Sequence, residues 1–290
     1  NESRGSIVSP SERCGSTGLR PTFGRISRAG GMALCWSLDK VGPIARGVAD
    51  CAMVAEALHG ADPADRDSIS APFGGNLARA PKGLRLGYLK GTLDKAQPGI
   101  GAALSAFLEM GLEPKEVTLP DLPYASLNNV VLAEAAAAFE DLTLTGRDDE
   151  LGWQDDAAWP NLFRAAHLLS AVDHVQLDRL RTRVMQALDA LFAEIDVLVG
   201  PPFAGPMLIA SNFTGHPCLH LRAGFTEEKT RAGGTLSVGG NKAPGAAKGK
   251  FRVPHGVSLW SGLYREDRLL EVGQALEKAL GVAAERPKGY

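Results

Sequence analysis

Residues 84 to 119 restrict the fold more than any other stretch of this chain. Leu84, Leu86 and Tyr88 alternate with Arg85 and Gly87, the period of a strand. Ile100, Ala103, Leu104, Phe107 and Leu108 then recur at helical spacing as far as Gly111, and Val117 and Leu119 suggest a second strand. A strand, a helix and a strand within this span form a βαβ unit, because the crossover helix returns the chain to run parallel to where it began. Parallel strands need cover on both faces. The expected fold class is therefore α/β, a mixed β-sheet core flanked by helices on both faces.

The rest of the chain supplies parts for such a core. Residues 47 to 60 read as a helix with Val48, Cys51, Ala52, Ala55 and Leu58 on one stripe and Gly60 as the stop. Residues 126 to 145 and 161 to 194 are rich in Ala and Leu and read as helices, and Leu269 to Leu280 closes as an amphipathic helix. Asp196 to Val199, Cys218 to Leu221 and Val257 to Trp260 are short strand candidates. Thr226 to Lys250 has almost no large apolar side chains and cannot offset the entropy of ordering, so it is expected as a flexible insertion between two strands. With no internal repeat and no linker composition, residues 1 to 290 are expected to form a single domain.

Composition narrows the function classes. The chain has 290 residues, 44% hydrophobic and 22% charged, with a net charge of −2, so neither nucleic acid nor an anionic membrane has an electrostatic claim on it. No apolar run reaches the roughly 20 residues that span a bilayer. Cys14, Cys35, Cys51 and Cys218 show no metal-like pairing; Cys51 and Cys218 read as buried small hydrophobes. No cofactor, metal or membrane partner is expected, and the cysteine usage suits a cytoplasmic setting.

The chemistry-bearing stretch is Gly5-Ser6-Ile7-Val8-Ser9-Pro10, followed by a Gly/Thr/Pro-rich loop from Cys14 to Gly30. Glycine beside serine lets backbone N–H groups approach a substrate closely, as an acyl-transfer nucleophile requires. Taken alone, an ordinary turn serine is the simpler reading. Lys40 and Lys82 read as solvated loop lysines. Among His59, His167, His174, His216, His220 and His255, only His216 and His255 sit beside prolines in loops, where a loop-ordering hydrogen bond is the preferred reading. The acidic run Asp148-Asp149-Glu150 with Asp155-Asp156 reads as solvated loop. Trp153, Trp159 and Phe163 read as core packing before substrate pocket.

The longer pattern resembles the amidase signature family. Gly5 to Pro10, Cys14 to Thr22, Gly24 to Gly30 and Trp36 to Arg46 match its motifs in order and spacing. Asp196 to Pro201, Asn212 to Pro217, Ala223 to Phe225, Pro254 to Trp260 and Glu266 to Leu280 look like its later segments. The resemblance implies the amidase signature fold, here without its N-terminal portion. It implies a hydrolase that cleaves a carboxamide C–N bond of a small molecule through an acyl-enzyme on Ser6. The oxyanion hole would be the backbone N–H groups of Ser3, Arg4 and Gly5, leading into Ser6. The family's lysine and cis-serine belong to segments upstream of the nucleophile, so the chain is expected to be N-terminally truncated and inactive by itself. Arg4 stands where most members carry glycine. A homodimer is a possible assembly for such a fold. Two alternatives share these residues: a protein like the amidase subunit of a glutamyl-tRNA amidotransferase, and a non-catalytic fragment or interaction module.

Overall fold

The structure, a computed structural model, describes residues 1–92, 98–229 and 249–286. Its centre is one seven-stranded sheet. The strands are β1 (Thr17–Arg20), β2 (Ile44–Ala45), β3 (Leu86–Leu89), β4 (Lys115–Val117), β5 (Val197–Gly200), β6 (Cys218–Lys229) and β7 (Lys250–Ser261), in spatial order β2-β1-β6-β7-β5-β3-β4. The helix Pro98–Glu109 joins β3 to β4, which pair in parallel with Gly87 opposite Lys115, as the βαβ pattern requires. β5 also pairs in parallel with β3, but antiparallel with β7. The sheet is mixed, and β5 is where its two halves meet.

Alternation along the central strands explains the layering. Val197 and Val199 of β5, Leu219 and Leu221 of β6 and Leu259 of β7 point to one face, where they meet α2 (Val48–Leu58), α3 (Pro98–Glu109) and α9 (Glu266–Leu280). Leu198, Cys218 and Trp260 point to the other. There they meet Val8 of α1 (Val8–Cys14), Val130 and Val131 of α4 (Asn128–Ala138), the stripe Leu177, Leu180, Val184, Leu188 and Leu191 of α7 (Ala171–Glu194), and Met207, Ala210 and Phe213 of α8 (Met207–Phe213). Both faces are dry, which is why Val197-Leu198-Val199 is uniformly apolar.

Several boundaries differ from the sequence reading. The helix expected over 126 to 145 is α4 followed, after Phe139, by the short α5 (Glu140–Leu144). The one expected over 161 to 194 is α6 (Trp159–Ala166) and α7, with Ser170 capping the second by accepting the Asp173 N–H. The Cys14 to Gly30 loop contains β1, and the segment around Asn212 is helical. Thr226 to Lys229 and Lys250 to Val253 are paired strand, Thr226 opposite Val253 and Lys229 opposite Lys250. The ends of the expected insertion are thus sheet, because backbone pairing extends a hairpin without needing apolar side chains; residues 230–248 lie outside the described residues. Asp148 is buried against Arg164 at 2.6 Å, not solvated as its acidic surroundings suggest. Phe163 packs with Ala135 and Ala136, the core role expected of it.

Candidate active site

Ser6 stands in the turn between an isolated bridge, Glu2 with Lys40, and the first turn of α1. Three features hold that turn. Gly5 adopts φ +122°, and a Cβ there would come within 3.3 Å of Leu208, so the position is both conformationally and sterically suited to glycine. The Gly5 carbonyl accepts the Ser9 N–H at 2.7 Å. Gly18 of β1 lets α1 approach the sheet: a Cβ there would lie 2.3 Å from Ser11 Oγ and 2.8 Å from Ile7.

Helix α1 has no local side-chain cap. Its first N–H groups are satisfied from a distance by Glu2, whose Oε2 accepts from Ile7 N at 2.7 Å and Val8 N at 3.1 Å. The other oxygen, Oε1, accepts from Arg20 Nη1 at 2.7 Å and from Asn212 Nδ2 at 2.8 Å. Arg20 in turn donates through Nη2 to Ser211 Oγ at 2.8 Å and to the His216 carbonyl at 2.9 Å. Glu2 and Arg20 are both 0% exposed. Burial by itself would raise the Glu2 carboxyl; the Arg20 charge and the bonds from Arg20, Asn212 and Ile7 reverse this and hold it below its ordinary value. Ser3 donates to Asp39, whose Oδ2 accepts from Leu34 N at 2.9 Å and Cys35 N at 3.0 Å. The serine turn is therefore tied on both sides to buried carboxylates.

This arrangement leaves one set of groups unused. While Ile7 and Val8 N–H are taken by Glu2, the N–H groups of Ser3, Arg4, Gly5 and Ser6 have no partner among the described residues, nor has the Ser6 hydroxyl. Ser6 is exposed on an open cleft of about 630 Å³ whose lining combines Arg4, Gly5, Ser9, Pro10 and Arg13 with the apolar side chains of Phe203, Leu208 and Ile209.

No candidate base among the described residues bonds to Ser6. His216 is buried, shares a hydrogen bond of 2.7 Å with Thr214 and stacks on Phe192. Burial and then the Arg20 charge push it down to about 4. His255 lies 2.7 Å from Glu228 and 3.3 Å from Glu12. Lys82 is exposed, as expected.

Lys40 corrects the sequence reading. It is 2% exposed, not solvated, and its ammonium donates to the Leu38 carbonyl and, at 3.4 Å, to that of Asn212. Burial, followed by the nearby Arg20 charge, lowers it to about 7 against the partial opposition of Glu2 and Asp39. A lysine with a depressed folded pKa binds fewer protons than the unfolded chain between about 7 and its ordinary value of 10.5. Stability should therefore rise with pH across that window. Relative to Lys40→Met, the wild type should gain about 2 kcal/mol between pH 7 and pH 9 in urea unfolding. A pH-independent difference between the two would show that Lys40 stays fully charged in the fold.

The signal for the cleft was local and legible, but the carboxylate brace was not: no spacing rule joins residues 2, 20 and 212. Comparison with known proteins places the arrangement in a family. The Amidase family model matches residues 1–270. The chain belongs to the amidase family. It is 32% identical over 324 residues to a glutamyl-tRNA(Gln) amidotransferase subunit of Thermus thermophilus, covering 96% of this chain and 63% of that protein. It is 28% identical to the corresponding subunit from Geobacter metallireducens, covering 95% of this chain and 62% of that one. The peptide amidase of Stenotrophomonas maltophilia has the same fold, with a TM-score of 0.73 at 24% identity over 99% of this chain and 62% of that one. The chain thus spans less than two thirds of the length of these relatives. The amidase signature fold expected from the sequence is the fold observed.

Proposed function

We propose that this chain carries the nucleophile half of an amidase site, in which Ser6 attacks a carboxamide carbonyl, forms an acyl-enzyme and releases the amine, after which water releases the acid. The observation that supports this most directly is the run of unpartnered N–H groups from Ser3 to Ser6 beside an exposed serine hydroxyl. Such a run is what an oxyanion hole requires: donors fixed in advance at the point where negative charge develops. Ser3, Arg4 and Gly5 are assigned to it. The Arg4 side chain does not obstruct the role, because it is the backbone that donates, and its guanidinium donates to Asn128 Oδ1 at 2.6 Å.

A serine hydroxyl is a weak nucleophile at neutral pH without an adjacent base. With no lysine, imidazole or second hydroxyl bonded to Ser6 among the described residues, the proton relay is assigned to the lysine and cis-serine of the family pattern. Exposure to a fluorophosphonate followed by peptide mass mapping tests the reading. The chain by itself should label poorly. A version preceded by the segment that leads up to the corresponding serine in a full-length relative should gain one adduct, on the peptide containing Ser6. An adduct mapped elsewhere, or none in the longer version, would remove the assignment.

A second reading, as the amidase component of a tRNA-dependent amidotransferase, draws support from the curated relatives above. It requires partner subunits, and glutamine-dependent amide transfer in their presence, absent without them, separates it from simple hydrolysis.

A further inference from the structure

A second cavity, of about 570 Å³, shares no lining residue with the cleft beside Ser6. It is walled by the C-terminal half of α7, the His216 segment between α8 and β6, and the Gly262-Leu263 turn that follows β7. Met185, Phe192, Ala193 and Leu263 make much of its lining apolar, and Met185 and Leu263 are large side chains left exposed. Asp189 is the only charged side chain among the described lining residues; it is exposed, so water already serves it and the cavity calls for no counter-charge. One polar group in the lining is fixed from behind. His216 is 3% exposed, bonded through Nδ1 to Thr214 Oγ1 at 2.7 Å and stacked on Phe192 with ring centroids 5.4 Å apart. The single Thr214 hydroxyl proton goes to the Ala210 carbonyl at 2.9 Å. Thr214 Oγ1 therefore accepts from His216, which places the ring proton on Nδ1 and leaves Nε2 as a bare lone pair. Nε2 has no hydrogen-bond partner among the described residues, and it is not sealed in the core, so it opens on the cavity that His216 lines. Burial and the Arg20 charge keep the ring neutral near pH 7, so Nε2 can only accept.

We propose that this cavity binds a neutral aromatic molecule carrying one N–H or O–H donor, such as an indole or a phenol, with His216 Nε2 accepting from that donor. The volume lies in the range of small-molecule sites, which combine apolar walls with a few placed polar groups. Met185 and Phe192 suit an aromatic body, since a thioether and a ring both pack favourably against a π-system. The donor supplies the selectivity. A ligand with an N–H or O–H replaces the water that serves Nε2, whereas one of the same shape without it displaces that water and leaves the lone pair unpaired. Because Thr214 fixes the tautomer, the ring cannot adapt by moving its proton to Nε2 without losing the bond behind it.

Indole and N-methylindole, alike in shape and different in the donor, test this on the chain as it stands. Ligand-observed NMR should give indole a dissociation constant about tenfold lower. In wild-type protein with isotope-labelled histidine, nitrogen spectra should show His216 protonated at Nδ1 and bare at Nε2, and indole should shift the Nε2 resonance while N-methylindole leaves it in place. That readout needs no variant. In His216→Phe, with its folding checked by the urea midpoint, the preference for indole should fall to near one. In the version preceded by the segment that leads up to the serine in a full-length relative, indole should bind with the same preference. Equal binding of the two probes overturns the proposal, as does a proton found on Nε2, or indole binding that does not move the Nε2 resonance. Binding that is lost in the longer version overturns it too, by showing that the preceding segment and not a ligand fills the cavity. None of these readouts depends on the assignment of Ser6.

Discussion

Ser6→Ala is expected to lower amide hydrolysis by at least three powers of ten in a version preceded by the segment that leads up to the serine in a full-length relative. Removing the nucleophile of a cooperating set takes away nearly all that the set contributes, leaving only what binding and oxyanion donors supply. The 290-residue chain alone should show negligible turnover with or without Ser6, because its hydroxyl has no base among the described residues. Release of a chromogenic amine from an anilide, followed for all four proteins, gives the comparison. A loss below tenfold in the longer version would take Ser6 out of the reaction. Robust Ser6-dependent turnover by the short chain would show that its base lies within these residues.

The largest effect on stability should come from Glu2. Glu2→Ala leaves the Arg20 guanidinium buried without its charge partner and strips the cap from Ile7 and Val8 N–H. Breaking a buried pair from one side costs about 3–5 kcal/mol, measurable as a fall in the urea midpoint at constant slope. The effect should depend on pH with a definite sign. The folded-state carboxyl lies below its ordinary value, so its contribution is complete above the unfolded-state pKa and is lost as pH falls through the folded one. Wild type and Glu2→Gln should therefore converge in acid and separate toward neutrality. A gap that widens in acid would mean that burial, not Arg20, governs this carboxyl. If Glu2→Ala costs less than about 1 kcal/mol, the brace is not what holds the serine turn.

The fold was legible where periodicity is strong. Leu84 to Leu119 gave a parallel βαβ unit, and the apolar stripe of α7 and the run Val197 to Val199 found their places, since burial on one or two faces imprints itself on neighbouring residues. Short elements escaped. Helix α1 has seven residues with a proline in its first turn, and β1 hides in glycine-rich sequence, because both depend on tertiary partners: β1 pairs with β2 and β6, and α1 packs on the sheet where Gly18 leaves room. The β6 and β7 strands run further than their apolar residues, because main-chain pairing propagates a hairpin whatever its side chains.

The site divides in the same way. By itself the sequence determined the serine turn, its glycine and the family to which both belong, since a tight turn and a close backbone approach impose residue types on adjacent positions. Tertiary structure alone decided the environment. Lys40 reads as a loop lysine yet lies in the interior near Arg20 and Glu2. Asp148 reads as solvated yet is buried beside Arg164. The carboxylate that caps α1 comes from the strand-like bridge at Glu2, held by an arginine 18 residues later and an asparagine 210 residues away. Charges interact through space, at distances that chain separation does not encode, so their partners and their protonation emerge only once the sheet has brought them together.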